Sequence, residues 1–343
     1  MAPASEAGQI GHAGTESAAR RAGRKRGSPL FQIRERKRGN RWRSHVRWRQ
    51  IGSMPETHTI GFIGTGVMGR SMAAHLLQAG HRLRVFTRTP AKAAELVAKG
   101  AKWCRTAGEA AGEADFVITM VGYPSDVEEV YFAPSGILEN ARGGAVLIDM
   151  TTSSARLAER IAHAAEARGC RALDAPVSGG DVGAREARLA IMVGGEETAF
   201  EQAKPVLALL GKNVVRQGGP GAGQYCKMAN QIAVAVGMLA WAEALALGAA
   251  AGLDPAVMLT SISGGAAGSW AMTNLAPRAL AGNFAPGFYV KHMLKDIGIA
   301  LACAAELGVD TPGLATAKAA YDRVVAAGGA DCGTQAIYRV YAP

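Results

Sequence analysis

The pattern of apolar positions changes character once along the chain. Between His58 and Arg216, short apolar runs alternate with segments whose apolar residues recur at helical spacing. The runs read as buried strands and the segments as helices. Strands are expected at His58–Ile63, Arg82–Thr87, Asp115–Val121, Ala145–Asp149, Arg171–Ala175, Leu189–Val193 and Asn213–Arg216. Helices are expected at Arg70–Gln78, Ala91–Lys99, Asp126–Phe132, Ala155–Arg168 and Glu196–Leu210, with Ser125 and Glu128 as a capping box for the third. Such alternation predicts a mostly parallel, doubly wound sheet with helices on both faces.

From Gly221 the strands stop. Tyr225–Ala251 is almost entirely Ala, Leu, Ile, Val and Met, without proline. That composition favours a single long helix, and a helix apolar on nearly every face needs burial in a core, between subunits or in a membrane. Glu243 near the middle of its most apolar stretch argues against the membrane. Further helices are expected at Met258–Ser263, Ala271–Leu280, Lys291–Leu307 and Thr316–Ala327. The expected organisation is a leader over residues 1–56, an α/β domain over 57–219 and an all-α domain over 220–343. The long helix joins the two domains.

Charge changes the picture only at the N-terminus. Residues 1–53 hold 13 Lys and Arg against 3 Glu, whereas the remainder holds 25 of each sign, so the formal +10 lies wholly in the leader. The leader lacks an apolar period and is expected to be disordered. It also lacks the apolar segment of a secretory signal. Three readings stay open for it: sequence upstream of a true start at Met54, an inert tail, or a basic arm for nucleic acid. Five cysteines, none in a CxxC pair, give no disulfide framework or zinc site. They fit a reducing cytoplasm.

Candidate chemistry lies at the predicted strand ends. Gly64-Thr65-Gly66-Val67-Met68-Gly69 follows a strand and opens a helix, the context that makes G-x-G-x-x-G a dinucleotide-binding signature in a Rossmann domain. Gly64 serves the turn, Gly66 the approach of a pyrophosphate and Gly69 the packing of helix on strand. The second strand ends at Thr87-Arg88-Thr89, with no acid before Glu95. Without that acid, and with Arg88 for a 2′-phosphate, NADP is favoured while NAD stays possible. Ser178-Gly179-Gly180 can hold a substrate carboxylate through bare amides and a hydroxyl. Lys227, Asn230 and Gln231 share one face at the start of the long helix. Lys227, lowered by burial and a nearby cation, is the candidate acid/base, with Asn230 on the same substrate. Lys295 can reach the nicotinamide side, or it can simply pair with Asp296.

Four segments in order, Gly61–Gly69, Asp174–Gly180, Gly221–Asn230 and Lys295–Ala300, resemble the β-hydroxyacid dehydrogenase family, in its 3-hydroxyisobutyrate dehydrogenase and tartronate semialdehyde reductase branch. The resemblance covers about residues 57–340. It implies a catalytic Lys227, a substrate carboxylate at Ser178, Gly179, Gly180 and Asn230, and a nicotinamide cofactor at Val121, Gly122, Thr152 and Lys295. It also implies assembly as a homodimer or homotetramer. The chain departs from the family pattern at Val121-Gly122-Tyr123-Pro124 and at Gln231, both in the expected cleft. The rival readings are an imine reductase, which lacks the family lysine, and a decarboxylating sugar-phosphate dehydrogenase, which needs a basic phosphate pocket. A third is a non-enzymatic dinucleotide-binding module with a basic arm.

Overall fold

A computed structural model describes residues 57–342. The leader, with the readings given for it, lies outside the described residues. The described chain begins with β1 (Thr59–Ile63), α1 (Val67–Gln78), β2 (Arg82–Phe86), α2 (Ala94–Ala98), β3 (Lys102–Trp103), α3 (Ala107–Ala111), β4 (Phe116–Thr119), α4 (Pro124–Phe132), α5 (Ile137–Asn140) and β5 (Val146–Asp149). It continues with α6 (Ala155–Glu166), β6 (Arg171–Asp174), β7 (Val177–Ser178), α7 (Gly180–Arg185), β8 (Leu189–Gly195), α8 (Glu197–Leu207) and β9 (Gly211–Gly218).

These strands form one sheet in the order β3-β2-β1-β4-β5-β6-β8-β7, with β9 also on β8. Pairing is parallel from β3 to β6 and turns antiparallel where β8 meets β6 and β7. The central strands are buried on both faces, as parallel strands covered by helices must be. One face packs Phe62, Met72, Leu76 and Phe116. The other packs Val117, Tyr131, Leu147 and Ile161. Strand order reverses between β1 and its neighbours β2 and β4, which opens a crevice at their C-terminal ends.

The helical part comprises α9 (Ala222–Ala250), α10 (Pro255–Ile262), α11 (Trp270–Asn274), α12 (Ala276–Leu280), α13 (Val290–Glu306) and α14 (Pro312–Ala326). At 29 residues, α9 runs about 43 Å. By length and composition alone it could cross a membrane, a test that core helices also pass. Its buried side packs on α13 and α14 around Met238, Trp241, Leu245, Ile297 and Tyr321. The opposite side is not buried within this chain: Ala229, Ala233 and Ala240 are exposed and Leu247 is 74% exposed.

The start of α9 is fixed by the sheet. Asp174, ending β6, accepts from the Gly221 amide at 2.8 Å and from the Gln224 amide at 2.8 Å. One buried carboxylate thus satisfies two amides that a helix start leaves without partners, and its charge suits the positive end of the helix dipole.

Two expectations need correction. The start of α4 is capped by Asp126, whose Oδ2 accepts from the Tyr123 amide at 3.0 Å, and not by Ser125 with Glu128. Proline 124 starts the helix earlier, so Asp126 becomes its third residue, while Glu128 pairs with Arg160 at 2.9 Å. The single helix expected over Ala271–Leu280 is two, α11 and α12, separated at Leu275. Pro277 lacks the amide proton that an unbroken helix would need there.

Candidate active site

The crevice begins at the β1–α1 turn. The Gly64 amide donates to the Phe86 carbonyl at 2.8 Å, and Gly64 holds φ +98° with Met120 O 2.2 Å from where a Cβ would stand. A Cβ on Gly69 would stand 2.0 Å from Gly64 O. Both positions therefore demand glycine for packing. Gly66 differs: among the described residues nothing lies within 4 Å of its missing Cβ. It opens α1 beside exposed Val67, and among the described residues no side chain caps the helix start, which leaves its first amides for a ligand. That is a cradle for an anionic phosphate. Thr65 is buried with a hydroxyl that has no partner among the described residues, and Met68 packs inward on the sheet core. These residues fit a dinucleotide.

The next two loops are tied to the helical part. The Val121 amide donates to Thr151 Oγ1 at 3.0 Å. Gln224 Nε2 donates to the Thr151 carbonyl at 2.8 Å, and its Oε1 accepts from the Ser153 amide at 3.0 Å. Lys295 Nζ, from α13, donates to the Thr152 carbonyl at 2.9 Å and the Gly122 carbonyl at 3.3 Å. It also lies 3.0 Å from Asp296 Oδ1, a charge contact rather than an aligned hydrogen bond. Lys295 is thus no solvated surface pair: its side chain is 11% exposed.

A buried polar chain leads from there to Lys227. Asp296 Oδ2 accepts from Gln231 Nε2 at 2.7 Å. Gln231 Oε1 accepts from Lys227 Nζ at 2.9 Å and from Asn230 Nδ2 at 2.7 Å. Burial penalises the charge of Lys227 and lowers its pKa to about 8. Asp296 opposes that shift and Lys295 adds to it. An amine with a pKa of about 8 can both take and give a proton near neutral pH.

Two carboxylates stand behind this edge. Burial raises Asp149 to about 6, although Thr119 Oγ1 at 2.7 Å and the Thr151 amide at 3.1 Å donate to its Oδ1. Burial likewise raises Asp174 to about 6.

Of the residues expected at the site, Lys227 and Asn230 share one hydrogen-bonded chain with Gln231 and Asp296, which the Asp296–Lys295 ion pair joins to Lys295, Gly122 and Thr152, and Val121 adjoins it through Thr151. Among the described residues no hydrogen bond joins Ser178, Gly179, Gly180 or Arg88 to it. Ser178 ends β7, and Gly179 and Gly180 open α7 with φ of +130° and +63°. Gly180 faces the Gly287 carbonyl of the helical part. Arg88 is exposed and pairs with Asp126 at 2.9 Å. Sequence reasoning missed Asp149, Asp174 and the site role of Asp296. An aspartate closing each of two apolar strands was the available signal for the first two.

A strand-order switch, an open glycine cradle and a buried amine tied to the Gly122 and Thr152 loops fit a nicotinamide-dinucleotide oxidoreductase. Comparison with known proteins narrows the class. Residues 59–219 match the NAD binding domain of 6-phosphogluconate dehydrogenase. Residues 221–341 match the NAD-binding domain of NADP-dependent 3-hydroxyisobutyrate dehydrogenase. An uncharacterized oxidoreductase of Bacillus subtilis is 57% identical over 82% of this chain and 98% of its own. The 2-hydroxy-3-oxopropionate reductase of Escherichia coli is 41% identical, over 79% of this chain and 92% of its own. The structure of Mycobacterium tuberculosis 3-hydroxyisobutyrate dehydrogenase with L-serine superposes with a TM-score of 0.77 at 36% identity, covering 83% of this chain and 99% of that one. The chain belongs to the β-hydroxyacid dehydrogenase family. It is an NAD(P)-dependent oxidoreductase of the hydroxy-acid dehydrogenase kind.

Proposed function

We propose that the protein interconverts a small 3-hydroxy acid and its semialdehyde, with NADP as the preferred cofactor and Lys227 as general acid/base. The observation that carries this reading is the buried Lys227 amine, lowered to about 8 and linked to the loops at the cofactor edge by hydrogen bonds through Gln231 to Asp296 and by the Asp296–Lys295 ion pair. The bound cofactor supplies a carbon that accepts or donates hydride.

The protein's own residues do the rest. Gly64, Thr65, Gly66, Val67, Met68 and Gly69 form the pyrophosphate turn, with the α1 amides facing the charge. Arg88 meets a 2′-phosphate. Val121, Gly122, Thr152 and Lys295 border the nicotinamide side. Ser178, Gly179 and Gly180 hold the substrate carboxylate through amides and a hydroxyl, and Asn230 hydrogen-bonds the same substrate. In oxidation neutral Lys227 takes the hydroxyl proton; in reduction its ammonium gives a proton to the carbonyl oxygen.

Initial rates with a panel of short 3-hydroxy acids and semialdehydes, each with NADP(H) and NAD(H), test the assignment. Turnover of at least one 3-hydroxy acid, faster with NADP, supports it; turnover of cyclic imines alone contradicts it. We further propose that the exposed face of α9, lined by Ala229, Ala233, Ala240 and Leu247, packs on a second copy of the chain. The protein then sediments as a dimer or larger, and a stable monomer contradicts this.

A further inference from the structure

Gln231 carries an amide whose two ends are chemically distinct, and the site uses both. Its oxygen accepts from Lys227 Nζ and Asn230 Nδ2, and its nitrogen donates to Asp296 Oδ2. Rotating the amide by half a turn would set its NH2 against the donors of Lys227 and Asn230. It would also set its oxygen against a carboxylate oxygen. A carboxylate oxygen accepts, so Asp296 favours the orientation that turns Nε2 towards it. Lys227, Gln231 and Asp296 are 5%, 2% and 2% exposed, so no water can repair a mismatched pair cheaply. The second oxygen of Asp296 meets Lys295, which is anchored on the Gly122 and Thr152 carbonyls.

We propose that Asp296 is a positioning residue that acts through Gln231: it locks the amide so that its carbonyl holds the Lys227 amine, and it ties that amine to the loops at the cofactor edge through Lys295. This rests on the proposed role of Lys227 only for its kinetic consequence; the hydrogen-bonded relay itself is independent of it. The charged and titratable groups facing Lys227 are Cys226 on its own helix and Asp296 and Lys295 on α13. His292, also on α13, faces Lys295 and Asp296 in turn.

The test titrates Lys227 in the full chain by NMR with isotope-labelled lysine, the resonance assigned by its loss in Lys227→Arg. Asp296→Asn frees the amide to rotate and withdraws the acceptor from Lys227. The titration midpoint should fall, and kcat should fall about tenfold to a hundredfold with the cofactor KM nearly unchanged. Gln231→Met removes the relay while keeping the bulk. In that background Asp296→Asn should lower the midpoint less, and kcat hardly further, because two members of one relay do not add. An equal drop in both backgrounds would show a through-space charge effect and overturn the relay, as would no drop in the parent. If Asp296→Asn does not fold, Gln231→Met alone still decides: an unchanged Lys227 midpoint overturns the proposal. The titration requires no turnover. A normal kcat in Lys227→Ala would therefore refute the acid/base reading while leaving the relay to be judged on its own signal.

Discussion

Asp149 and Asp174 are register partners on the adjacent parallel strands β5 and β6, two carboxylates buried side by side at the sheet edge. Asp149 takes both of its hydrogen bonds on Oδ1, and its Oδ2 is unpartnered among the described residues. Burial raises both acids to about 6, above the value of a free aspartate near 3.9. The folded state therefore binds protons more tightly than the unfolded chain, and stability from these groups rises as pH falls from about 6 towards 4. Asp149→Asn keeps the accepting oxygen and puts an NH2 where Oδ2 lacks a partner. Its Tm at neutral pH should match or exceed the parent's, and its gain in Tm between pH 7.5 and 5 should be smaller. Thermal unfolding at several pH values checks this; an undiminished gain would mean that Asp149 is not among the groups responsible.

The same pair marks what the sequence could and could not reveal. Gly64, Gly66 and Gly69 sit between an apolar strand and a helix, so the turn and its anion-binding end were legible in one local stretch. The long helix was legible from composition, with boundaries within a few residues of those observed. Strand β3, helices α3, α5 and α7, and the break at Leu275 were not. The helices among them are six residues or fewer, too short for a period to show. The link from Gln231 to Asp296 was invisible for another reason. It spans 65 positions, and nothing along the chain says which buried polar groups will meet.

Gly66 and Gly69 should respond differently to an added methyl group. At Gly69 the Cβ would stand 2.0 Å from a backbone oxygen, so Gly69→Ala should cost about 1–3 kcal/mol of stability. At Gly66 it meets nothing within 4 Å among the described residues. Gly66→Val should fold normally and lose cofactor affinity, by about tenfold or more if the phosphate approaches here as glycine turns allow. Denaturation and cofactor titration of both variants separate the cases. Unimpaired cofactor binding in Gly66→Val would remove the cradle from the account.

Arg88 stands at the end of β2, exposed and held by Asp126. A charge-assisted hydrogen bond to a 2′-phosphate contributes about 1.5–3 kcal/mol. Arg88→Ala should therefore raise the KM for NADPH by about tenfold to a hundredfold and leave that for NADH nearly unchanged. Equal changes for both cofactors would show that Arg88 is not the selector.

The proposed acid/base chemistry turns on the amine of Lys227, and the kinetics of Lys227→Ala against pH test it most directly. In the parent, log(kcat/KM) for oxidation should climb with pH and level off above about 8, where the amine is neutral; for reduction it should fall above about 8, where the ammonium is lost. In Lys227→Ala turnover should drop by about 10²- to 10⁴-fold in both directions, with NADPH still bound and the pH inflection gone. Near-parental turnover with the inflection intact would contradict the account.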